Sequence, residues 1–297
     1  MKMRPGLLTL VLFSVLVPSL GAAGMRSPWD VRLPFKEAVI HYTIDGMEKG
    51  TETVYVKDYG RRSAKYHKTV TSMMGMTMNN QTVEIITPDW HYEFNLTERT
   101  GTKTVNPYKF YAEEFARLSR AEKKNVIRNA EEVGGIFVGN FGGKVEKKAA
   151  RILGYDCDRA TVMGIRSYVI HGTSLPLKIE GNMMGMAMST VATSIDKGKV
   201  DEKYFQFPAG ITPVRDERQE EMFRQMAATV VAMLKEPDGA EQFRRNPPIP
   251  APGTFMPKGE RPAGAENREN MNMEDVGRMM EALKEMMGNG DQQLPGR

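Results

Sequence analysis

Two copies of a methionine-rich string constrain this chain more than any other feature of its sequence. They read Met73-Met74-Gly75-Met76-Thr77-Met78 and Met183-Met184-Gly185-Met186-Ala187-Met188. In an extended strand alternate side chains share a face. We therefore expect a row of three methionines on each of two strands, namely Met74, Met76 and Met78, and Met184, Met186 and Met188. A hairpin turn at Asn79-Asn80 is expected to follow the first string.

The chemistry of the thioether allows three interpretations of these rows. They could be a filled core beneath helices predicted between residues 108 and 133. They could be a flexible apolar wall that accommodates varied apolar ligands. They could also bind Cu(I), which prefers soft ligands, although neither string contains His or Cys. The sequence leaves all three open.

The first 24 residues have the pattern of a secretory signal peptide. Lys2 and Arg4 precede an apolar stretch at residues 7–20, and small residues follow it. We expect cleavage near Ala23 or Gly24 and export to the periplasm. The apolar stretch is short for a bilayer span and no second one follows, so we expect no membrane span after cleavage.

Charge and cysteine content exclude some classes of protein. The formal net charge is only +4, which gives no electrostatic footprint for nucleic acid. Cys157 is the single cysteine, so the chain forms no internal disulfide. We expect its thiol to be a buried small apolar group.

Alternating apolar residues predict antiparallel sheet before and after a helical segment. The clearest strand carries Trp90, Tyr92, Phe94 and Leu96 on one face, as in a sheet with one buried and one wet side. The same pattern returns in short runs after residue 144. We therefore expect one sheet built from both parts of the chain.

Helix boundaries are marked by capping residues. Asn106-Pro107 predicts the start of one helix, and Ser119 with Glu122 forms a capping box for a second. Gly134-Gly135 is expected to end that second helix. A third helix is predicted at residues 216–235, with an apolar stripe at helical spacing.

Composition divides the chain into four parts. They are a signal peptide at 1–24, a sheet-rich domain at 25–236, a proline-rich disordered linker at 237–270, and a methionine-rich amphipathic helix and tail at 271–297. Seven of the 17 prolines lie between 237 and 262. The last helix is too short to be stable alone, so we expect it to need a partner.

Sequence motifs of catalysis are absent. The chain has no zinc-protease, nucleophile-elbow or phosphate-loop motif. Its histidines, His41, His67, His91 and His171, lack ligand spacing and are expected on the polar faces of strands. The sequence therefore predicts a protein that is not an enzyme, with no cofactor and no metal site.

Several short phrases carry a resemblance to a known family. They are Gly154-Tyr155-Asp156-Cys157, Leu175-Pro176-Leu177-Lys178, the stretch at 205–210 and the stretch at 55–62. With the early meander, residues 35–211 resemble exported families related to the outer-membrane lipoprotein carrier (LolA-like) superfamily. The resemblance implies a strongly curved antiparallel sheet that forms an unclosed half-barrel with covering helices. In such carriers the concave apolar face holds lipoprotein acyl chains.

Together these observations predict an α+β fold and a function. The leading hypothesis is a non-enzymatic periplasmic binder or carrier of lipid or lipoprotein acyl chains, with a lipoprotein or envelope protein as a further partner. The predicted ligand-binding residues are Met74, Met76, Met78, Trp90, Tyr92, Phe94, Met184, Met186 and Met188. The alternatives are a periplasmic Cu(I)-binding protein and an interaction module that acts through its C-terminal helix.

Overall fold

The computed structural model describes residues 25–30, 32–73, 76–140, 143–162, 164–183 and 186–245. The predicted signal peptide and the predicted helix at 271–297 lie outside these residues. Within the described part of the chain, no helix has the length and apolar character needed to cross a membrane.

The described residues form twelve strands. They are β1 (Ala38–Gly46), β2 (Glu48–Lys57), β3 (Arg62–Met73), β4 (Met76–Ile86), β5 (Trp90–Asn95), β6 (Thr100–Val105), β7 (Lys144–Ile152), β8 (Tyr155–Val162), β9 (Ile165–Ile170), β10 (Pro176–Met183), β11 (Met186–Lys197) and β12 (Val214–Arg215). Four helices accompany them: α1 (Pro107–Ala116), α2 (Arg120–Asn140), α3 (Glu217–Leu234) and α4 (Gly239–Arg245).

The strands form one curved sheet that does not close on itself. Their order is β12-β6-β5-β4-β3-β2-β1-β11-β10-β9-β8-β7. All neighbours are antiparallel except β12, which pairs in parallel with β6. Strands from the two halves of the chain meet where β1 pairs with β11. The predicted α+β class with a curved, mainly antiparallel sheet is confirmed.

Each methionine string spans two strands, so the prediction of one strand per string is wrong. In the first string β3 ends at Met73 and β4 begins at Met76, and these two residues pair. In the second string Met183 of β10 pairs with Met186 of β11. The expected turn at Asn79-Asn80 is also wrong, because Asn79 pairs with Val70 inside the ladder. Each reversal instead falls between the two paired residues, Met73 with Met76 and Met183 with Met186.

The sheet buries apolar side chains on both faces, but on different strands. We call the face that carries Tyr42 the inner face and the face that carries Tyr55 the outer face. The inner-face core lies on β1, β2 and β8–β11 and includes Ala38, Ile40, Tyr42, Val56, Cys157, Ile170, Leu177 and Ala192. The outer-face core lies on β3–β5 and includes Ala64, Val83, Ile85 and Phe94. Cys157 is fully buried and free, as expected.

The helices pack mainly on one another and on the sheet edges. α1 packs on α3 and α2 packs on α4, while α3 contacts β6 and α2 contacts β7 and β8. The predicted caps are confirmed: the Asn106 side chain accepts from the Tyr108 backbone N–H, and Ser119 and Glu122 bond each other's backbone N–H groups. The predicted stop at Gly134-Gly135 is wrong, because α2 continues to Asn140.

The folded part extends beyond the predicted boundary at residue 236. Helix α4 occupies Gly239–Arg245, and its Ala240 and Phe243 are buried. Asn129 of α2 is also buried and donates to the backbone carbonyls of Leu234 and Glu236 at 2.9 and 2.7 Å. The bond to Leu234 satisfies one of the terminal carbonyls that a helix leaves without an intrahelical partner, and the Glu236 carbonyl also accepts from the Gly239 backbone N–H.

We predict that Glu220 is the main polar tie between α3 and the sheet. It is buried, accepts from the Val105 backbone N–H at 3.0 Å and forms a bidentate pair with Arg215. Replacing Glu220 with Gln should lower the free energy of unfolding by about 2 to 3 kcal/mol, because charged hydrogen bonds are lost at a buried site. The exposed neighbour Glu221 provides the matched Glu→Gln control. Equal urea midpoints for the two variants would contradict the prediction.

Candidate functional site

Several hairpins turn at the same end of the sheet, which we call the Met end. The β1–β2 connection lies there, where Gly46 pairs with Met188 and Glu48 pairs with Thr71. Beyond these pairs, β3 and β11 continue by two residues to their own hairpin ends. The β3–β4 and β10–β11 hairpins therefore project past the β1–β2 hairpin, one on each side of it.

The described methionine side chains at the Met end are not part of a filled core. Met78 is 54% exposed and Met47, in the β1–β2 connection, is 40% exposed. Met188 is half-buried. Met76 and Met186 lie on strands next to the hairpin ends, and the predicted ligands Met74 and Met184 lie outside the described residues.

The sequence around both of the projecting hairpins is free of charge. Residues 69–83 and 181–195 contain no Asp, Glu, Lys or Arg, in a chain of which 26% of residues are charged. Met78 and Met188 lie in these uncharged stretches, whereas Met47 is flanked by Asp45, Glu48 and Lys49. An exposed apolar side chain in an uncharged setting is typical of a surface for an apolar partner.

The predicted aromatic wall lies on the other side of the sheet from Met78. Val83 pairs with Phe94 and Thr71 pairs with Met78, so the strand alternation places Phe94 on the outer face and Met78 on the inner face. The Phe207 ring covers the outer face, with its centroid 4.7 Å from that of Tyr92 and 5.3 Å from that of Phe94. The structure therefore does not bring Trp90, Tyr92 and Phe94 together with the methionines.

A row of charged side chains crosses the inner face of β2–β5, and we call it the charged ladder. Its members are Glu48, Glu52, Lys65, His67, Glu84, His91 and Glu93. Lys65 forms an ion pair with Glu84. His67 lies 3.1 Å from Glu52 and 3.5 Å from Glu48, and His91 lies 2.8 Å from Glu84 and 3.6 Å from Glu93.

The ladder is desolvated although water still reaches it. Burial alone would raise the pKa of Glu84, but the hydrogen bond from His91 and the charge of Lys65 outweigh it and lower the pKa to about 2. Burial would likewise lower the pKa of Lys65, but Glu84 and Glu52 give a net upward shift. The side chains of Lys65 and Glu84 remain 37% and 22% exposed. Both groups are therefore partly desolvated but remain in contact with solvent.

Sequence reasoning misses this ladder because strand pairing assembles it. The four histidines are expected on polar strand faces, and His67 and His91 indeed lie on strands. Lys65 with His67, and His91 with Glu93, are each two residues apart, which is the available signal for a shared face. The register that sets Glu84 opposite Glu93 follows from the pairing of β4 with β5.

Comparisons with known proteins show no family for this chain. No protein-family model matches it, and no curated protein matches it. A solved structure described as an uncharacterized conserved protein from Thermus thermophilus is similar at 11% identity, with a TM-score of 0.33 over 60% of this chain and 90% of that one. A structure of PNGF-II is similar at 13% identity, with a TM-score of 0.31 over 65% of this chain and 33% of that one. Neither score reaches the level at which two structures share a fold.

We predict that His67 causes the protein to lose stability as the pH becomes alkaline. Burial would lower the pKa of His67, but hydrogen bonds to Glu48 and Glu52 raise it from 6.5 to about 9. A raised pKa stabilises the folded state fully below pH 6.5, and this contribution is lost as pH rises through about 9. Between pH 6 and pH 10, the wild type should therefore lose about 2 to 3 kcal/mol more unfolding free energy than His67→Gln.

The control for this pH effect is His41→Gln. The His41 side chain is 48% exposed and lies 3.7 Å from Asp196, so this variant should follow the wild-type pH dependence. Urea unfolding at both pH values measures the difference. Parallel loss of stability in the wild type and in His67→Gln would overturn the assignment.

Proposed function

We propose that this protein is a non-enzymatic periplasmic binder of lipid acyl chains, which it takes up at the Met end. The observation that carries the proposal is the exposure of Met78 and Met47, at 54% and 40%, at an end of the sheet where residues 69–83 and 181–195 include no charged residue. Flexible, polarizable thioethers adapt to apolar ligands of varied shape. Burying a methylene contributes about 0.8 kcal/mol, so such a surface binds a chain without polar chemistry.

The order of side chains along the inner face of β3 and β4 suggests how a bound amphiphile would be oriented. From the Met end inward, β4 carries Met78, then the uncharged Asn80 and Thr82, and then Glu84. Alongside it, the inner face of β3 passes from Thr71 through Thr69 to the charged ladder. Along β4 this order, from apolar through neutral to charged, supports an amphiphile whose chain lies at the Met end and whose polar group faces the ladder. On β2 the ladder itself reaches the Met end, because Glu48 pairs with Thr71.

The aromatic residues Trp90, Tyr92 and Phe94 have no part in the proposal, because they lie on the outer face. Its binding surface consists of Met47, Met78 and Met188, with Met76 and Met186 at adjoining positions. Export to the periplasm rests on the signal-peptide pattern at 1–24. The likeness to lipoprotein carriers, carried by the phrases quoted above, supports the same ligand class.

We predict that polar replacements at the Met end reduce lipid binding. A Met47→Gln/Met78→Gln variant should retain at least tenfold less lipid than the wild type, because a buried amide without a partner costs about 1 to 3 kcal/mol. Met222→Gln is the matched control, since Met222 on α3 has a similar exposure of 38%. Native mass spectrometry after incubation with a bacterial lipid extract measures the bound fraction. Equal bound fractions of lipid in the wild type, the double variant and Met222→Gln would contradict the proposal.

The Cu(I) alternative uses the same methionines and predicts a different response. A Met76→Leu/Met186→Leu variant keeps the volume and apolar character of both side chains but removes two soft ligands. Acyl-chain binding should survive this change within about twofold. Stoichiometric Cu(I) uptake by the wild type that disappears in the variant, with no lipid bound to either, would favour the metal. The other alternative, an interaction module, rests on residues 271–297, which lie outside the described chain.

A further inference from the structure

In part of the charged ladder, two carboxylates lie around one imidazole nitrogen. Glu84 and Glu93 lie directly opposite each other on β4 and β5, and like charges in that position destabilise a sheet. The same His91 nitrogen, Nε2, faces both carboxylates, at 2.8 Å from Glu84 Oε1 and 3.6 Å from Glu93 Oε1. Two carboxylates and one imidazole nitrogen thus converge on one point.

This convergence matches a tetrahedral metal site. Zn²⁺ binds nitrogen and carboxylate oxygen at about 2.0 to 2.2 Å, which sets neighbouring ligand atoms about 3.3 Å apart. The two separations from Nε2, 2.8 and 3.6 Å, lie on either side of that value. One ligand atom from each of the three residues lies within 4.8 Å of the other two.

A second histidine in the ladder has the same composition of neighbours but not the same geometry. His67 also lies between two glutamates, yet Glu52 faces its Nδ1 at 3.1 Å and Glu48 faces its Nε2 at 3.5 Å. Carboxylates on opposite edges of an imidazole ring cannot bind one ion together with a single ring nitrogen. His67 therefore bridges two strand positions, whereas His91 gathers two carboxylates.

The three side chains are accessible to an ion from solvent. The His91, Glu84 and Glu93 side chains are 19%, 22% and 45% exposed. Lys65, which pairs with Glu84, also has Glu52 as an electrostatic neighbour, so it retains a carboxylate partner when Glu84 binds a metal. Three protein ligands leave the fourth position of a tetrahedral ion for water or for an oxygen of a bound molecule.

We propose that Glu84, His91 and Glu93 bind one Zn²⁺ ion on the inner face of the sheet. The site supplies His Nε2 and one oxygen from each carboxylate, and these two negative charges neutralise the ion. It differs from the Cu(I) alternative in both place and chemistry, because its ligands are nitrogen and oxygen and none is a methionine.

Titration of the full-length protein with Zn²⁺ tests the site. Isothermal calorimetry should give one ion per chain with at least micromolar affinity in the wild type and in the control, His67→Gln. His91→Gln should weaken binding at least a hundredfold, since a direct ligand counts for more than the outer-shell partners whose loss costs about 10- to 100-fold. The proposal fails if the wild type takes up no Zn²⁺ at micromolar concentration, or if His67→Gln and His91→Gln lose affinity equally.

A second variant and a spectroscopic probe guard against a folding defect. Glu93→Gln changes the most exposed of the three ligands and should weaken Zn²⁺ binding at least tenfold while the far-ultraviolet circular dichroism stays unchanged. Co²⁺ bound in place of Zn²⁺ should give the intense visible absorption of a tetrahedral site in the wild type and in His67→Gln. Weak, octahedral-type absorption in the wild type, or unchanged absorption in Glu93→Gln, would overturn the ligand set.

Discussion

Strand β2 is apolar on both sides, and the rest of the sheet depends on that property. Val54 and Val56 face inward and pair with Ile40 and Ala38 of β1, so they belong to the inner-face core. Tyr55 between them faces outward, where its ring stacks on Tyr204 with centroids 3.8 Å apart. If the sheet buried only its inner face along its whole width, a polar residue would be expected at the outward position of Tyr55. Here the buried face changes at β2.

This change of face frees the inner side of β3–β5 for charge. The outer side of those strands buries Ala64, Val83 and Ile85 beneath the segment that carries Phe205 and Ile211. Their inner side needs no apolar cover, and it holds the charged ladder in a partly desolvated row. Burying unpaired charges costs several kcal/mol each. The row is stable because Lys65, His67 and His91 each contact one or two of its carboxylates, so that every acidic group in it has a basic neighbour.

Local signals predict much of the fold, whereas the site depends on pairing between distant residues. The start of α1 at Asn106-Pro107 and the extent of α3, predicted at 216–235, depend on neighbours in sequence, and both match the structure. The methionine strings are predicted as single strands because their alternating pattern fits one strand as well as two strands joined by a turn. The pairing of Met73 with Met76 shows that a turn divides the first string. Gly134-Gly135 fails as a stop because glycine costs a helix only about 1 kcal/mol per residue. The charged ladder needs four strands in register, which no local pattern specifies.

The two candidate surfaces lie on the same strands and yet act separately. Met78 and Glu84 are six residues apart on β4, a distance of about 20 Å at the usual rise of a strand. Uncharged Asn80 and Thr82 separate them on the inner face, so a change at the Met end leaves the ion pairs of Glu84 in place. Without an amphiphile bound across both surfaces, sites this far apart with no shared side chain contribute almost additively. Loss of acyl-chain binding with Zn²⁺ uptake intact, and the reverse, are therefore independent outcomes for the same molecule.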